Sequence, residues 1–195
     1  MVSDDPQAEL AHRRALGSVT GLFPVLWVDG VPIHESMAIC EWAHEAFPEA
    51  RLWPADRLER ARARSIACEM AAGFTQLRTH LSCHPFARVP GFVPDGATRA
   101  EIDRVHGMWT EALERSGGPF LFGHPTIADF MYFPVVTRFE TYDVAWPPKL
   151  RAYADAMWAL PAVQAWRALA VTEPRIPIYD AYVTGLGGDP DGALR

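Results

Sequence analysis

Apolar residues change their period twice within the first fifty positions. Gln7 to Leu16 (QAELAHRRAL) reads as a helix, and Gly17 can end it as a C-cap. Val25 to Val28 is then an unbroken apolar run that meets Asp29-Gly30, the strongest short signal for a two-residue hairpin turn. Ile33 resumes a short strand. Ser36 can N-cap a helix that reaches about Ala46, where Phe47-Pro48 stops it. Pro48 to Asp56 has the composition of a linker.

Beyond the linker the pattern is helical. Asp56 with Glu59 reads as a capping box, in which two side chains satisfy orphan helix N–H groups reciprocally. The spacing predicts one long helix from there through Met70 and Phe74 to about His80. Thr98 with Glu101 reads as a second box, opening a helix to about Arg115. Thr126 with Asp129 is a third, opening an apolar helix through Tyr132 to about Thr141. Pro147 and Pro161 sit where first-turn prolines start two more helices. The glycine-rich run from Gly185 to Arg195 is expected to fray, and there is no internal repeat.

Composition narrows the function classes. The 195 residues are 49% hydrophobic and 22% charged, ordinary for a globular protein with a sizeable core. No window approaches the ~18 uninterrupted apolar residues of a membrane span, and Met1 to Asp5 is too acidic for a secretory signal. The net charge is −6 and Lys149 is the only lysine, so the basic face that nucleic acid requires is missing. Cys40, Cys68 and Cys83 are odd in number and widely spaced, which argues against a disulfide framework. Cys40 and Cys68 read as buried small residues rather than nucleophiles. His80, Cys83 and His84 lack a fourth ligand at diagnostic spacing, so no metal is expected. A cytoplasmic protein is expected.

Several landmarks occur in an order that resembles bacterial glutathione transferases. They are the Phe23-Pro24-Val25-Leu26 strand, His34-Glu35-Ser36-Met37-Ala38-Ile39, Leu52-Trp53-Pro54-Ala55-Asp56, Arg60-Ala61-Arg62-Ala63-Arg64 and Glu69-Met70-Ala71-Ala72-Gly73-Phe74. Gly118 to Gly123 and Thr126-Ile127-Ala128-Asp129 complete the series. Each motif alone is weak, and their order carries the resemblance from about Ser18 to Tyr182. It implies an α+β, mostly α fold: a partial thioredoxin-like domain over residues 1–50, a linker at 51–56, an all-helical C-terminal domain over 57–184 and a flexible tail at 185–195. The resemblance departs at the front. In the family a strand, a helix and a second strand precede the helix that leads to the X-Pro bond. A βαβ unit needs ~30 residues, and only 23 precede Pro24. The family's catalytic Tyr, Ser or Cys lies at the start of that first helix, so no residue here is carried over as catalytic.

The resemblance also assigns roles. The Phe23-Pro24 bond would be cis and its backbone would hold the cysteinyl part of glutathione, Glu35 would meet the α-amino group, and Ser36 would hold the γ-glutamyl carboxylate at a helix N-terminus. From the residues alone, a trans strand-opening proline and a plain N-cap serine remain open alternatives. Met70, Phe74 and Arg78 would line a substrate pocket, against the alternative that Met70 and Leu77 pack in the core and that Phe74 and Arg78 go either way. Asp129 reads as structural. Ser18 and Thr20 have no sequence-evident activating base.

The implied function is conjugation of glutathione, as co-substrate, to a small electrophile in detoxification. A glutathione-dependent isomerase of the maleylacetoacetate type, or a non-catalytic binding relative that keeps the helical domain, are the alternatives. A longer natural chain with its front half upstream of Met1 is a further one. Family members are usually homodimers, although a truncated sheet alters the surface they use. Without a donor to the sulfur, weak or absent transferase turnover is expected.

Overall fold

A computed structural model describes residues 5–194, apart from the Pro6 side chain. The expectation that Met1 to Asp5 carries no secretory signal lies, but for Asp5, outside the described residues. Helix α1 (Pro6–Ala15) opens on Asp5, whose carboxylate accepts the Gln7 N–H at 2.9 Å. Gly17 follows the C-cap with φ +94°, and a side chain there would begin 2.6 Å from the Trp27 indole nitrogen. Strands β1 (Val25–Val28) and β2 (Val31–His34) pair antiparallel with Leu26 opposite Ile33 and Val25 opposite His34. Asp29 and Gly30 both adopt positive φ, as a type I′ turn demands. Among the described residues this hairpin is the only sheet, as the sequence predicts.

Helix α2 (Ser36–Ala46) packs on the hairpin and on α3 (Arg57–Ala72). Ser36 is not its N-cap. That place belongs to Glu35, at φ +68°, and no side chain caps this end. A small apolar cluster of Trp53, Ala63, Ala67, Ile127 and Ala128 receives Met37 and Cys40 from α2. Beside it Glu41 of α2 accepts two hydrogen bonds from Arg64 of α3, at 2.8 and 2.7 Å, and one from Trp53 Nε1 at 3.1 Å. The Arg64 bonds hold the Glu41 carboxyl below its usual range, against the opposing effect of its partial burial. Burial, with Glu41 next to it, pushes the Cys40 thiol up. Cys68 corrects the expectation of a buried residue: it is exposed, because the buried face of α3 carries Ala63, Ala67 and Met70 instead.

The long helix expected to run to His80 is broken. It ends at Ala72, Gly73 caps it, and Phe74 takes φ +56° before α4 (Thr75–His80) begins. A Cβ on Gly73 would come 2.8 Å from the Glu69 carbonyl oxygen, so the tight exit depends on glycine. Asp56 does cap α3, accepting from Leu58 and Glu59 N–H at 2.9 Å each, but Glu59 turns away to pair with Arg115 and Arg62.

Helix α5 (Gly96–Ser116) begins two residues before the expected box, with Asp95 accepting the Thr98 N–H at 2.7 Å. Thr98 is buried and its Oγ1 meets His80 Nδ1 at 2.6 Å, while Glu101 accepts the Leu77 N–H at 2.8 Å. Both residues of the supposed box therefore serve α4, whose own N-terminus has no side-chain cap.

Helix α6 (Ile127–Thr141) runs through the centre of the core and is followed by α7 (Pro148–Ala159), α8 (Pro161–Ala170) and α9 (Pro177–Gly185). Its capping box forms as predicted. Asp129 Oδ2 accepts from both the Thr126 N–H and hydroxyl at 2.8 Å, and Oδ1 accepts the Leu121 N–H at 3.0 Å. Asp129 is fully buried, and burial pushes its carboxyl up against the pull of those donors. Around α6, Trp109 meets Tyr132, Phe139 and Tyr153 with ring centroids 5.2–5.8 Å apart. Within the glycine-rich stretch, contacts with the helical core reach as far as Ala193. Arg88 and Asp189 exchange backbone hydrogen bonds at 2.9 and 2.8 Å, and Ala193 N–H reaches Phe86 O at 2.8 Å. Gly188 permits the approach, since a Cβ there would sit 2.7 Å from Arg88 O.

Two outcomes follow. Asp129→Asn should lower unfolding free energy by about 3 kcal/mol in urea denaturation, because an amide turns one of its ends into a donor facing buried donors. A loss below about 1 kcal/mol would contradict the role given to this carboxylate. The depressed Glu41 carboxyl contributes stability that is present above its ordinary range near 4.5 and is lost as pH falls through the folded value. Glu41→Gln should therefore flatten the fall in stability with decreasing pH below about 5. An unchanged slope would count against it.

Candidate functional site

A cavity of about 360 Å³ lies between the N-terminal unit and the helical core. One wall is the loop and strand entry at Thr20, Leu22, Phe23 and Pro24, and next to it stand His34, Glu35 and Ser36. Met70, Ala71 and Arg78 of the α3–α4 corner and Phe130, Met131 and Pro134 of α6 face them. The Phe23-Pro24 peptide is cis, as the resemblance implied.

Local sequence explains each placement. The loop before β1 passes close to its neighbours at both ends, Gly17 against the Trp27 indole and Gly21 against the Leu10 side chain. Within it the buried Ser18 hydroxyl donates to Leu22 O at 2.6 Å, and the Leu22 N–H donates to Thr20 Oγ1 at 3.2 Å. The hairpin register then delivers His34 opposite Val25 and Glu35 at the corner where α2 starts. Because α2 begins without a side-chain cap, its first-turn N–H groups keep the partial positive charge that attracts an anion. Glu35 and Ser36 have no side-chain partner among the described residues. His34 Nδ1 is buried without one.

On the opposite wall the Arg78 guanidinium donates only to Ala71 O, at 3.3 Å, and has no ion pair among the described residues. The cavity thus sets a carboxylate, a helix N-terminus and a free guanidinium around an apolar floor of methionine, phenylalanine and proline. Such a site suits a small zwitterionic peptide with an apolar or acidic second molecule beside it.

Of the residues singled out from sequence, Phe23, Pro24, Glu35, Ser36, Met70 and Arg78 share this cavity. Phe74 does not line it. It is 6% exposed and meets Tyr132 edge to face at 6.1 Å, because its left-handed backbone turns the ring into the core. Leu77 is also buried in the core. Sequence reasoning weighed Thr20 only as a hydroxyl without a base, and it missed Leu22, His34, Ala71, Phe130, Met131 and Pro134 as lining residues. The α6 residues carried a usable hint, since Phe130, Met131 and Pro134 follow directly on the Asp129 box. His80, Cys83 and His84 diverge: His80 binds Thr98, Cys83 Sγ lies 3.8 Å from Thr137 Oγ1, and His84 Nε2 meets Asp180 at 2.7 Å.

Residues 55–168 match the family model described as "Glutathione S-transferase, C-terminal domain". A maleylacetoacetate isomerase of Rhizobium meliloti (strain 1021) is 32% identical over 148 residues, covering 71% of this chain and 67% of that protein. A probable maleylacetoacetate isomerase of Caenorhabditis elegans is 30% identical over 158 residues, covering 76% and 68% respectively. A crystal structure of a glutathione transferase homolog from Burkholderia gl BGR1, with bound glutathione, superposes with a TM-score of 0.61 at 25% identity, covering 78% of this chain and 74% of that one.

The two aromatic and cationic candidates on α4 and its approach should separate experimentally. Phe74→Ala should cost about 3–5 kcal/mol of stability, as for a large ring removed from a core. Arg78→Met should change stability by no more than about 0.5 kcal/mol, as for an unpaired exposed side chain, while changing the binding of anionic ligands in the cavity. Equal stability losses in urea denaturation would overturn this division.

Proposed function

Because the chain belongs to the glutathione S-transferase family, we propose that it binds glutathione in this cavity and conjugates it to a small electrophile. The observation that carries the proposal is the convergence of Phe23-Pro24, Glu35 and Ser36 on one side of a cavity whose other side is Met70, Arg78 and α6. The γ-glutamyl carboxylate would take the N–H groups and hydroxyl at Ser36, where the start of α2 favours negative charge. The α-ammonium would pair with Glu35. The cysteinyl backbone would lie along Phe23-Pro24, turning the sulfur toward the apolar floor. In conjugation the thiolate sulfur forms a bond to the electrophilic carbon, and the displaced electron pair leaves with the leaving group or is protonated by water. Residues 1–50 would thus hold glutathione, 51–56 would link, and 57–184 would supply the electrophile's pocket. Phe74 would support that pocket from behind.

Isomerisation is the second reading, favoured by two relatives named as maleylacetoacetate isomerases. There the thiolate would add to a conjugated double bond, the resulting single bond would rotate, and the thiolate would depart unconsumed. Arg78 is suited to a substrate that carries a carboxylate. A cytoplasmic homodimer acting in detoxification fits the same site. The family supports it, as do the exposed side chains of Phe23, Trp27, Val31 and Phe47 on the N-terminal unit. None of the helices described is long and apolar enough to cross a membrane. A non-catalytic member would bind glutathione and turn over neither substrate.

Calorimetric titration with glutathione tests the reading. Ser36→Ala should weaken binding about tenfold, the loss of one hydrogen bond to a charged group. Glutathione consumption with an aromatic halide, set against isomerisation of a cis-enedione acid without consumption, separates the two chemistries. No binding at millimolar glutathione would overturn the proposal.

A further inference from the structure

Helix α6 carries a proline in its interior, at Pro134. Proline has no N–H, so the carbonyl of Phe130, four residues earlier, loses the donor that an α-helix gives its interior carbonyls. The pyrrolidine ring also crowds that oxygen and tilts it away from the helix axis. Side chains often repair such a break, and here they are committed elsewhere. Thr137 Oγ1 and Arg138 Nη1 both donate to the carbonyl of Pro134 itself, each at 2.9 Å. None of the described side chains donates to the Phe130 carbonyl.

The position of this oxygen gives it a use. Phe130 and Pro134 both line the cavity, and residues four apart share one face of a helix. A helical carbonyl points along the axis toward the residue four places on, so the Phe130 oxygen emerges on the strip between these two side chains. That strip is cavity wall, and the side chains along it, Phe130, Met131 and Pro134, are otherwise apolar. Arg78 belongs to the wall that faces α6, and its guanidinium donates only to Ala71 O, at 3.3 Å.

An acceptor without a protein donor, set among apolar groups, discriminates between ligands. A ligand that brings a donor satisfies it, and one that places an ether or a methyl there leaves it desolvated and unpaired. Arg78 makes the opposite demand, for an anionic acceptor.

We propose that the carbonyl oxygen of Phe130 is a specificity determinant of this cavity, selecting carboxylic acids that also carry an un-ionised donor: a hydroxyl, an enol or an amide N–H. The inference rests on the reading of the cavity as the place where a second substrate meets glutathione, and it names the class of that substrate. The acid group pairs with Arg78 and the donor with the Phe130 oxygen. Two polar anchors at opposite walls hold an otherwise apolar body in one pose.

The test is calorimetry on the full chain, with and without glutathione, using 3- and 4-hydroxybenzoate, each against its methoxy counterpart. In the better-fitting pair, wild type should bind the hydroxy acid about tenfold more tightly, the worth of one hydrogen bond to a desolvated acceptor. Pro134→Ala returns an N–H to the Phe130 carbonyl, so it should bring that ratio within about twofold. Arg78→Met should weaken both acids and leave the ratio standing. Carbon-13 NMR of the Phe130 carbonyl reads the contact in wild type without any variant: its resonance should move downfield with the hydroxy acid and stay in place with the methoxy acid. A wild-type ratio within about twofold, an unmoved carbonyl resonance, or a ratio that survives Pro134→Ala in a folded protein overturns the assignment. Glutathione affinity, titrated separately, decides the glutathione reading: its loss with the hydroxy-acid preference intact would sink that reading and leave the Phe130 acceptor in place.

Discussion

The carboxylate of Asp129 is the constraint on which the rest of the molecule turns. It is fully buried, and it answers three donors from two chain segments: the Thr126 N–H and hydroxyl and the Leu121 N–H. An unpaired buried carboxylate would be costly, so the loop at Leu121 and the start of α6 have one arrangement that satisfies it. With that start fixed, the Ile127 N–H reaches Leu52 O at 2.9 Å and joins the helical core to the linker. Within its first two turns the same helix places Phe130, Met131 and Pro134 on the cavity.

The opposite wall depends on a second junction. Glu41 joins α2, α3 and Trp53 through one carboxylate, and Arg64 lies over the Trp53 ring at 5.7 Å. The small hairpin unit has no fully buried core of its own: α2 buries no residue completely, and both strands are half exposed. Its position therefore comes from contact with α3 and from the Trp53 cluster. The two walls of the cavity belong to different units, and this junction sets the distance between them.

The break at Gly73-Phe74 divides two neighbours with opposite fates. Phe74 turns inward to Tyr132, and α4 restarts on a new axis that carries Arg78 to the cavity. That restart leaves α4 without a local cap, and Glu101 from α5 supplies one in its place. A six-residue helix is too short to be stable alone, so its existence depends on α5 and on the core around Leu77. The orientation of Arg78 is thus set by residues far from it in sequence.

Local chemistry determined a good deal. The Asp-Gly hairpin, the Thr126–Asp129 box and the proline-opened helices depend on interactions within four residues, and each formed where the sequence placed it. The order of those landmarks was also enough to identify the family. Tertiary structure decided whatever depended on a choice between local and distant partners. Thr98 and Glu101 have the spacing of a cap but bond to His80 and Leu77. The composition around Gly188 shows no partner, and only the fold brings its backbone against Arg88. Ser18 and Thr20 are equivalent hydroxyls in the sequence, and only the fold spends one proton on Leu22 O and leaves the other facing the cavity. A side chain's type states what bonds it can make, and the competition among neighbours brought together by folding states which ones it does make.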